Sequence, residues 1–465
     1  MCEGIATELD GIDLGDERLN KRSKRIITAL AESPDLSINA SCNGWSDTQA
    51  AYRLFDNDAV EPDKIRQPHV EATKDRVRQH PVVLAVQDTT ECDYTRHPPK
   101  DARHLNCVKR KGIYMHTVLV VTPDRRALGV LNSEYFDRAE DSLGRTKERG
   151  TLPIEEKESF RWLKGYRVAT SLAQACPETV IVNVADREAD IYDIFVEAQQ
   201  TPGTKAEYVI RAKEDRSTLE RNPSAGAHAF CKVKDEVAAS KCLATRVIPL
   251  PETSKRTARQ ATVEIRAKSF TVKPPHARSR LPAITHQVVL VTEVDGPGDG
   301  TDVCWLLLTT LPINTLEQVE QVIEYYCARW VIEIYFRTLK SGCQIEQILL
   351  EKLARLKRCL AFYEIIAWRI LYLTYLNRTT PNLPCTAVFT KSEWKSVWSV
   401  VKRKPLPKEP PRLDEIVKLI AQLGGYNNRP QELPPGPQTL WIGLRKVSSL
   451  AVAWDTFGPE AQNCV

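Results

Sequence analysis

The sequence predicts a mixed α/β fold, because apolar strands and a helix alternate along the central part of the chain. Two short apolar runs, at residues 81–86 and 179–184, are each followed by polar residues, a pattern typical of buried strands. Residues 113–122 and 127–134 have strand composition and are separated by a Pro-Asp turn, which predicts a hairpin. Residues 155–176 have the length and composition of a helix. The order strand, hairpin, helix, strand favours a mixed sheet covered by helices.

Length, charge and cysteine usage narrow the class of protein. At 465 residues the chain can hold two or three domains, and its net charge of +5 is too small to indicate nucleic acid by itself. The 13 cysteines are widely scattered and include no CxxC pair, which argues against a zinc ribbon or a thioredoxin-type site. An odd number of scattered cysteines favours free thiols in a reducing compartment, so we expect a cytoplasmic protein.

The most apolar stretch, residues 359–376, is the nearest candidate for a membrane span. It carries Glu364 and Arg369, and it is short for a span. We therefore interpret it as a buried core helix and expect no membrane partner.

The first 65 residues are predicted to form a small helical domain. Five basic residues fall within two turns of one predicted helix: Arg18, Lys21, Arg22, Lys24 and Arg25. Such a cluster has two interpretations, a solvated helix face or a surface that neutralises DNA phosphates.

Three carboxylates from separate parts of the chain are candidates for one site. Asp88 and Asp186 each follow an apolar strand, at the position where open α/β sheets usually bind ligands. Either residue alone could equally be a turn or helix-capping aspartate. Together with Glu333 they could hold two Mg²⁺ or Mn²⁺ ions, because hard cations prefer oxygen ligands.

The third carboxylate lies in a predicted helix, YCARWVIEIYFRTLK, over residues 326–340. Tyr326, Arg329, Glu333 and Lys340 fall within an arc of about 60° if that helix is continuous. A carboxylate flanked by cations and a phenol suits a site that holds a metal ion and a phosphodiester. A solvated face with spaced charges is the commoner explanation for any single helix.

Three motifs together resemble the IS4 family of bacterial transposases. They are VQDTT around Asp88, VADREADIYD around Asp186, and the spacing Y-x2-R-x3-E-x6-K from Tyr326 to Lys340. The last of these resembles the family's YREK motif and is called the signature below. The segments GDERL, AYRLFDN, EKES and LGGY look similar too and occur in the family's order. The resemblance therefore covers most of the chain.

The resemblance implies an RNase H-like catalytic domain over residues 66–376, with Asp88, Asp186 and Glu333 as catalytic metal ligands for two Mg²⁺ or Mn²⁺ ions. It also implies a β-rich insertion at about 203–303. Runs such as EYVIRA, ATRVIPL, ATVEIRA and HQVVLVTEV support that insertion independently. Residues 241–280 contain 10 Lys or Arg against 2 Asp or Glu, which favours either DNA contact or a solvated hairpin surface.

The resemblance further implies cut-and-paste transposition through a hairpin intermediate, on the element's inverted repeats and on target DNA. Tyr326, Arg329 and Lys340 would bind DNA phosphates. Trp305 and Trp330 match family residues that stack with or displace a base near the element end, although Trp305 could instead pack in the core. Arg211 matches a family arginine near the DNA end.

Residues 377–465 begin with proline-containing connectors and then contain two apolar stripes. The stripes consist of Leu413, Ile416, Val417, Ile420 and Leu423, and of Leu440, Leu444, Val447, Ala451 and Trp454. The resemblance implies a helical dimerisation domain that acts in a synaptic homodimer on the bacterial nucleoid.

Two other functions remain open from the sequence. One is an RNase H-like nuclease that cuts without strand transfer. The other is a cleavage-inactive DNA-binding regulator derived from a transposase, against which the three intact carboxylates argue.

Overall fold

The structure is a computed structural model that describes residues 2–42, 44–138, 152–222, 224, 226, 229–250, 257–430, 432 and 434–459. The chain forms two compact units. The first contains residues 1–76, 89–143 and 331–465, and the second contains residues 77–88 and 144–330.

The described residues form fourteen α-helices and eleven β-strands. The helices are α1 (Cys2–Ala6), α2 (Glu17–Glu32), α3 (Ile38–Ser41), α4 (Trp45–Phe55), α5 (Pro62–Val77), α6 (Phe160–Ala175), α7 (Tyr192–Gln200), α8 (Val233–Ala238), α9 (Leu316–Ala328), α10 (Trp330–Arg337), α11 (Leu353–Thr379), α12 (Lys391–Lys402), α13 (Leu413–Leu423) and α14 (Pro437–Phe457). The strands are β1 (Val82–Asp93), β2 (Gly112–Val121), β3 (Ala127–Phe136), β4 (Val180–Ala185), β5 (Glu207–Arg211), β6 (Ser217–Arg221), β7 (Phe230–Lys232), β8 (Ala244–Leu250), β9 (Arg259–Val272), β10 (Ile284–Glu293) and β11 (Cys304–Thr309).

The second unit contains a sheet with parallel and antiparallel parts. The first half of β1 pairs in parallel with β4, and β4 pairs in parallel with β5. Antiparallel pairs then continue the sheet from β5 through β11 and β10 to β9, which also pairs with β6 and β8. The run EYVIRA, predicted as part of the insertion, is β5 and belongs to the parallel part. The later strands of the insertion extend the same sheet.

The first unit contains the predicted hairpin and a long core helix. Strands β2 and β3 pair antiparallel, with β2 buried along its whole length. The indole N–H of Trp368 on α11 donates to the Ala127 carbonyl of β3 at 3.0 Å. Leu353–Asn377 is long and apolar enough to cross a membrane, but 83% of its most apolar window is buried inside the protein. This burial confirms the prediction of a core helix for residues 359–376.

The carboxylate of Glu364, in the middle of α11, is paired inside the first unit. Glu364 is fully buried, and the Arg66 guanidinium lies 3.1 Å from its Oε2. The Tyr135 hydroxyl donates to the other carboxylate oxygen. A buried carboxylate is tolerated only when it is paired and hydrogen-bonded, and both conditions are met here.

Three helices form the C-terminal core of the first unit. The predicted stripe on α13 is buried from Leu413 to Ile420, and Leu440, Leu444 and Val447 of α14 pack with it. Toward the end of α14 the second stripe becomes partly exposed at Ala451 and Trp454. Helix α12 was not predicted, although Thr390 and Glu393 form a capping box that signals its start.

Two predicted helices differ from those observed. The helix predicted for residues 155–176 begins at Phe160, after a short 3₁₀ turn over Ile154–Glu156. The continuous helix predicted for residues 326–340 is wrong. The Arg329 N–H bonds to the carbonyl of Tyr326, three residues back, so the backbone tightens between α9 and α10. After α10, residues Thr338–Gly342 form a wider π-helical turn, closed by a 2.8 Å bond from the Cys343 N–H to the Thr338 carbonyl.

A buried histidine ties the N-terminal helices to the hairpin in the first unit. The Nε2 atom of His69 accepts the Val130 N–H at 3.0 Å, so this nitrogen carries no proton. Its Nδ1 therefore donates to Glu8 at 2.6 Å, and Arg76 contacts the same carboxylate at 2.9 Å. Burial lowers the pKa of His69. Burial alone would raise the pKa of Glu8, but the His69 hydrogen bond and the nearby charges lower it to about 2.

This neutral histidine predicts a loss of stability in mild acid. The unfolded chain binds a proton at His69 below pH 6.5, whereas the folded protein resists it, so stability falls as the pH drops below 6.5. We expect the urea concentration at the unfolding midpoint to decrease as the pH is lowered from 7.5 to 5.5. This histidine can change the free energy of unfolding by at most about 1.4 kcal/mol per pH unit. His69→Gln should reduce the slope, although buried His286, with its pKa lowered to about 3, contributes with the same sign. Exposed His97→Gln is the control, and an equal slope in both variants would contradict the assignment.

Candidate active site

Asp88 and Asp186 lie in neighbouring segments of the sheet in the second unit, Asp88 within β1 and Asp186 directly after β4. The parallel register pairs Val82 with Val180 and continues without a shift to Val86 opposite Val184. Asp88 follows Val86 by two residues within β1, and Asp186 follows Val184 by two residues, one residue past the end of β4. Neighbouring strands are about 4.8 Å apart, and residues in register point to the same face. The strand pairing therefore places the segments that contain the two predicted aspartates next to each other.

The opposite face of these strands is closed by helix α6. Gln87 and Asn183 are fully buried, and the Gln87 amide donates to the Asn183 side chain. Gly165 of α6 faces them so closely that a Cβ atom there would lie 2.1 Å from the Gln87 Oε1 atom. Because side chains alternate along a strand, Asp88, the residue after Gln87 in β1, points away from α6.

Arg329 supplies positive charge next to Asp88. Its Nη1 atom lies 2.8 Å from the Asp88 Oδ2 atom, and the two side chains are 14% and 19% exposed. The partly buried position strengthens the attraction relative to a surface pair. Arg329 thus lies against the first of the three candidate carboxylates, a contact that the sequence did not predict.

Asp186 also caps a turn, which is the structural alternative that the sequence offered for it. Its Oδ1 atom accepts the Glu188 N–H at 2.8 Å and so caps the 3₁₀ turn Arg187–Ala189. The residue is half-buried. This hydrogen bond fixes the carboxylate at the strand end, which any role as a ligand also requires.

Three further predicted residues form a group beside the sheet. The rings of Trp305 on β11 and Tyr326 on α9 meet edge to face, with centroids 5.5 Å apart. Arg211, at the end of β5, donates to the Cys304 carbonyl at 3.1 Å. Trp305 is half-buried and Tyr326 is 7% exposed, so both pack partly against protein. Trp330 differs, with 46% of its surface exposed at the start of α10.

Glu333 and Lys340 belong to the first unit. Glu333 is half-buried on α10, and Lys340 lies in the π-helical turn. The Lys340 ammonium is 3.7 Å from the Glu346 Oε1 atom, a contact that the sequence reasoning missed. A Lys-x5-Glu spacing gives no helical signal, since only the π turn and the bend after it bring the two side chains together.

The basic region at residues 241–280 is less positive than its residue count suggests. Five of its cations pair with carboxylates of the second unit: Arg246 with Glu320, Arg259 with Glu293, Arg266 with Glu264, Lys268 with Glu236 and Arg278 with Asp193. Four of these five carboxylates lie outside residues 241–280. Lys255 and Arg256 lie outside the described residues. The solvated-surface interpretation therefore accounts for much of this charge.

The aspartate pair has the donor chemistry that a divalent ion requires. Carboxylate oxygens are suitable ligands for Mg²⁺ or Mn²⁺. In the described part of the chain, no group of three or more His, Cys, Asp or Glu side chains is arranged as a metal site. The donor chemistry of Asp88 and Asp186 therefore fits a divalent ion. In this structure the Arg329 guanidinium lies against the Asp88 carboxylate.

Three family models match the chain, one after another. The model described as Transposase DNA-binding matches residues 1–60, Transposase DDE domain matches residues 182–368, and Transposase Tn5 dimerisation domain matches residues 365–455. The DDE match includes Asp186 and Glu333 and begins after Asp88. Its position between the other two gives the order DNA-binding, catalytic and dimerisation segments. The chain therefore belongs to the IS4 family of transposases, is similar to the Tn5 transposase, and has an RNase H-like catalytic core with helical segments on either side in the sequence.

Proposed function

We propose that this transposase excises its element by cutting at the terminal inverted repeats and then joins the freed ends to target DNA. The observation that supports the proposal best is the parallel pairing of β1 with β4, because Asp88 and Asp186 each follow the last pair, Val86 opposite Val184, by two residues. Glu333, from the family's signature, is proposed as the third carboxylate.

Asp88, Asp186 and Glu333 would hold two Mg²⁺ or Mn²⁺ ions, which when bound activate the attacking oxygen and stabilise the leaving one. Arg329, Tyr326 and Lys340 would hold the phosphates beside the scissile bond. A guanidinium and an ammonium there stabilise negative charge that grows at phosphorus in the transition state. Their positions also align the attacking oxygen with the bond that breaks.

Four in-line displacements would complete the reaction. Water first cuts one strand and frees a 3′-hydroxyl, which attacks the opposite strand to give a hairpin end. Water opens the hairpin, and the same 3′-hydroxyl finally attacks target DNA. Trp330, exposed at the start of α10, and Trp305 would stack with the unpaired base of a bent end, and Arg211 would contact DNA nearby.

The basic face of α2 would contribute to binding of the inverted repeats. The α2 residues that face the core are Ser23, Ile26, Ile27 and Leu30, so the lysines and arginines lie toward solvent. Two chains would act together in a synaptic complex. We further propose that the protein works in the bacterial cytoplasm, on the nucleoid.

The carboxylate roles predict loss of cleavage without loss of DNA binding. Asp88→Asn, Asp186→Asn and Glu333→Gln should each slow Mn²⁺-dependent cleavage of an end-containing duplex by at least about 100-fold. Glu188→Gln is the matched control, because Glu188 is exposed in the turn after Asp186 and pairs with Arg161. A variant that cleaves at the wild-type rate would remove its residue from the site. Cleavage of all substrates without joining of precut ends would favour a nuclease instead.

The contact between Arg329 and Asp88 predicts a change in metal affinity as well as in rate. Arg329→Ala removes a cation 2.8 Å from a proposed ligand, so the protein without DNA should bind Mn²⁺ about tenfold more tightly. The same variant should cleave more slowly, because a phosphate contact is lost. Mn²⁺ titration by electron paramagnetic resonance measures the affinity, and Arg337→Ala on the exposed side of α10 is the control. Unchanged Mn²⁺ affinity would contradict the proposal.

Synapsis predicts two chains and two DNA ends in one particle, which light scattering can measure. Val452 on α14 is 64% exposed and lies within the match to the dimerisation domain, so Val452→Asp should convert the complex to one chain per DNA. Val247 on β8 has the same exposure, and Val247→Asp should leave the stoichiometry unchanged. A one-to-one complex of the wild-type chain under cleaving conditions would refute synapsis.

A further inference from the structure

The segment that follows the signature lysine folds back on itself in the first unit. After the π-helical turn that contains Lys340, Gln344 adopts a left-handed conformation with a φ of 47°. A short 3₁₀ turn over Ile345–Gln347 follows. This reversal brings the Glu346 carboxylate to within 3.7 Å of the Lys340 ammonium.

Glu346 is itself attached to the end of strand β1. Its Oε1 atom accepts the backbone N–H of Asp93 at 2.9 Å. The next residue of the chain, Tyr94, is buried, and its hydroxyl donates to the Ile345 carbonyl at 2.9 Å. Two hydrogen bonds therefore hold the 3₁₀ turn against β1, and the same carboxylate oxygen faces Lys340.

The ion pair contributes little to stability by itself. Lys340 and Glu346 are 29% and 31% exposed, and pairs of this kind are worth at most about 1 kcal/mol. Its effect is on position, since a lysine side chain has a flexible four-carbon stem and many rotamers. A carboxylate anchored on β1 restricts those rotamers and keeps the ammonium near one place.

We propose that Glu346 is a positioning residue for Lys340 and holds its ammonium ready for a DNA phosphate. The inference rests on the proposed phosphate role of Lys340 and adds a residue outside the signature. Glu346 does not touch DNA in this assignment. It reduces the conformational freedom that Lys340 must lose when the phosphate binds.

The test compares Glu346→Gln, Lys340→Ala and the double variant. The glutamine oxygen can still accept the Asp93 N–H, so the turn is retained while the charge that faces Lys340 is lost. We expect the single-turnover cleavage rate at saturating end DNA to fall about tenfold. DNA affinity should stay equal or increase, because a negative charge is removed. In the Lys340→Ala background, Glu346→Gln should have no further effect on the rate.

The matched control is Glu351→Gln. Glu351 follows in the same segment and pairs with Lys100 at 2.9 Å, but that lysine is outside the signature. A normal rate in Glu346→Gln together with a slow Lys340→Ala variant would overturn this inference alone. A normal rate in Lys340→Ala would overturn both this inference and the phosphate role of Lys340. An equal slowing by Glu346→Gln with and without Lys340 would show that Glu346 acts independently, which also overturns it.

Discussion

The parallel pairing of β1 with β4 is the constraint on which the candidate site depends. The register runs unshifted from Val82 opposite Val180 to Val86 opposite Val184, and Asp88 and Asp186 each follow that last pair by two residues. Gln87 and Asn183 hold the other face against α6, where Gly165 leaves no room for a side chain. A shift of one residue would turn either aspartate toward that closed face. Packing of the face that carries Gln87 therefore determines the direction in which Asp88 points.

The segment that carries the signature departs from a regular α-helix at two places. A uniform helix would place Tyr326, Arg329, Glu333 and Lys340 on one ridge, but the backbone tightens at Arg329 and widens at Thr338–Gly342. Gly342 sits in the wide turn because a Cβ atom there would lie 3.1 Å from the Trp441 ring. Lys340 lies in the wide turn, and π-helical turns are frequent at functional sites.

Local patterns predicted much of the fold, and pairings across the chain account for what they missed. Apolar runs identified β1, β2, β3 and β4, since burial on a sheet leaves a clear signal. The extent of the insertion was harder to predict, because EYVIRA looks the same whether its strand pairs with β4 or with another hairpin. The motifs indicated Asp88, Asp186 and Arg329, whereas the contact of Glu346 with Lys340 depends on a backbone reversal that no periodicity encodes.

The charge of a sequence segment predicts the local electrostatics less well than the positions of the charges in the fold do. The basic run at residues 241–280 is largely offset by carboxylates such as Glu320 and Glu293, which pair with Arg246 and Arg259. By contrast, Arg329 is a single cation in a mixed sequence, yet it lies 2.8 Å from Asp88 where solvent screening is weak. A single charge beside a partly buried carboxylate therefore has a stronger local electrostatic effect than a dense run of charges on a solvated hairpin. For this chain, the local electrostatics follow from burial and geometry rather than from net charge.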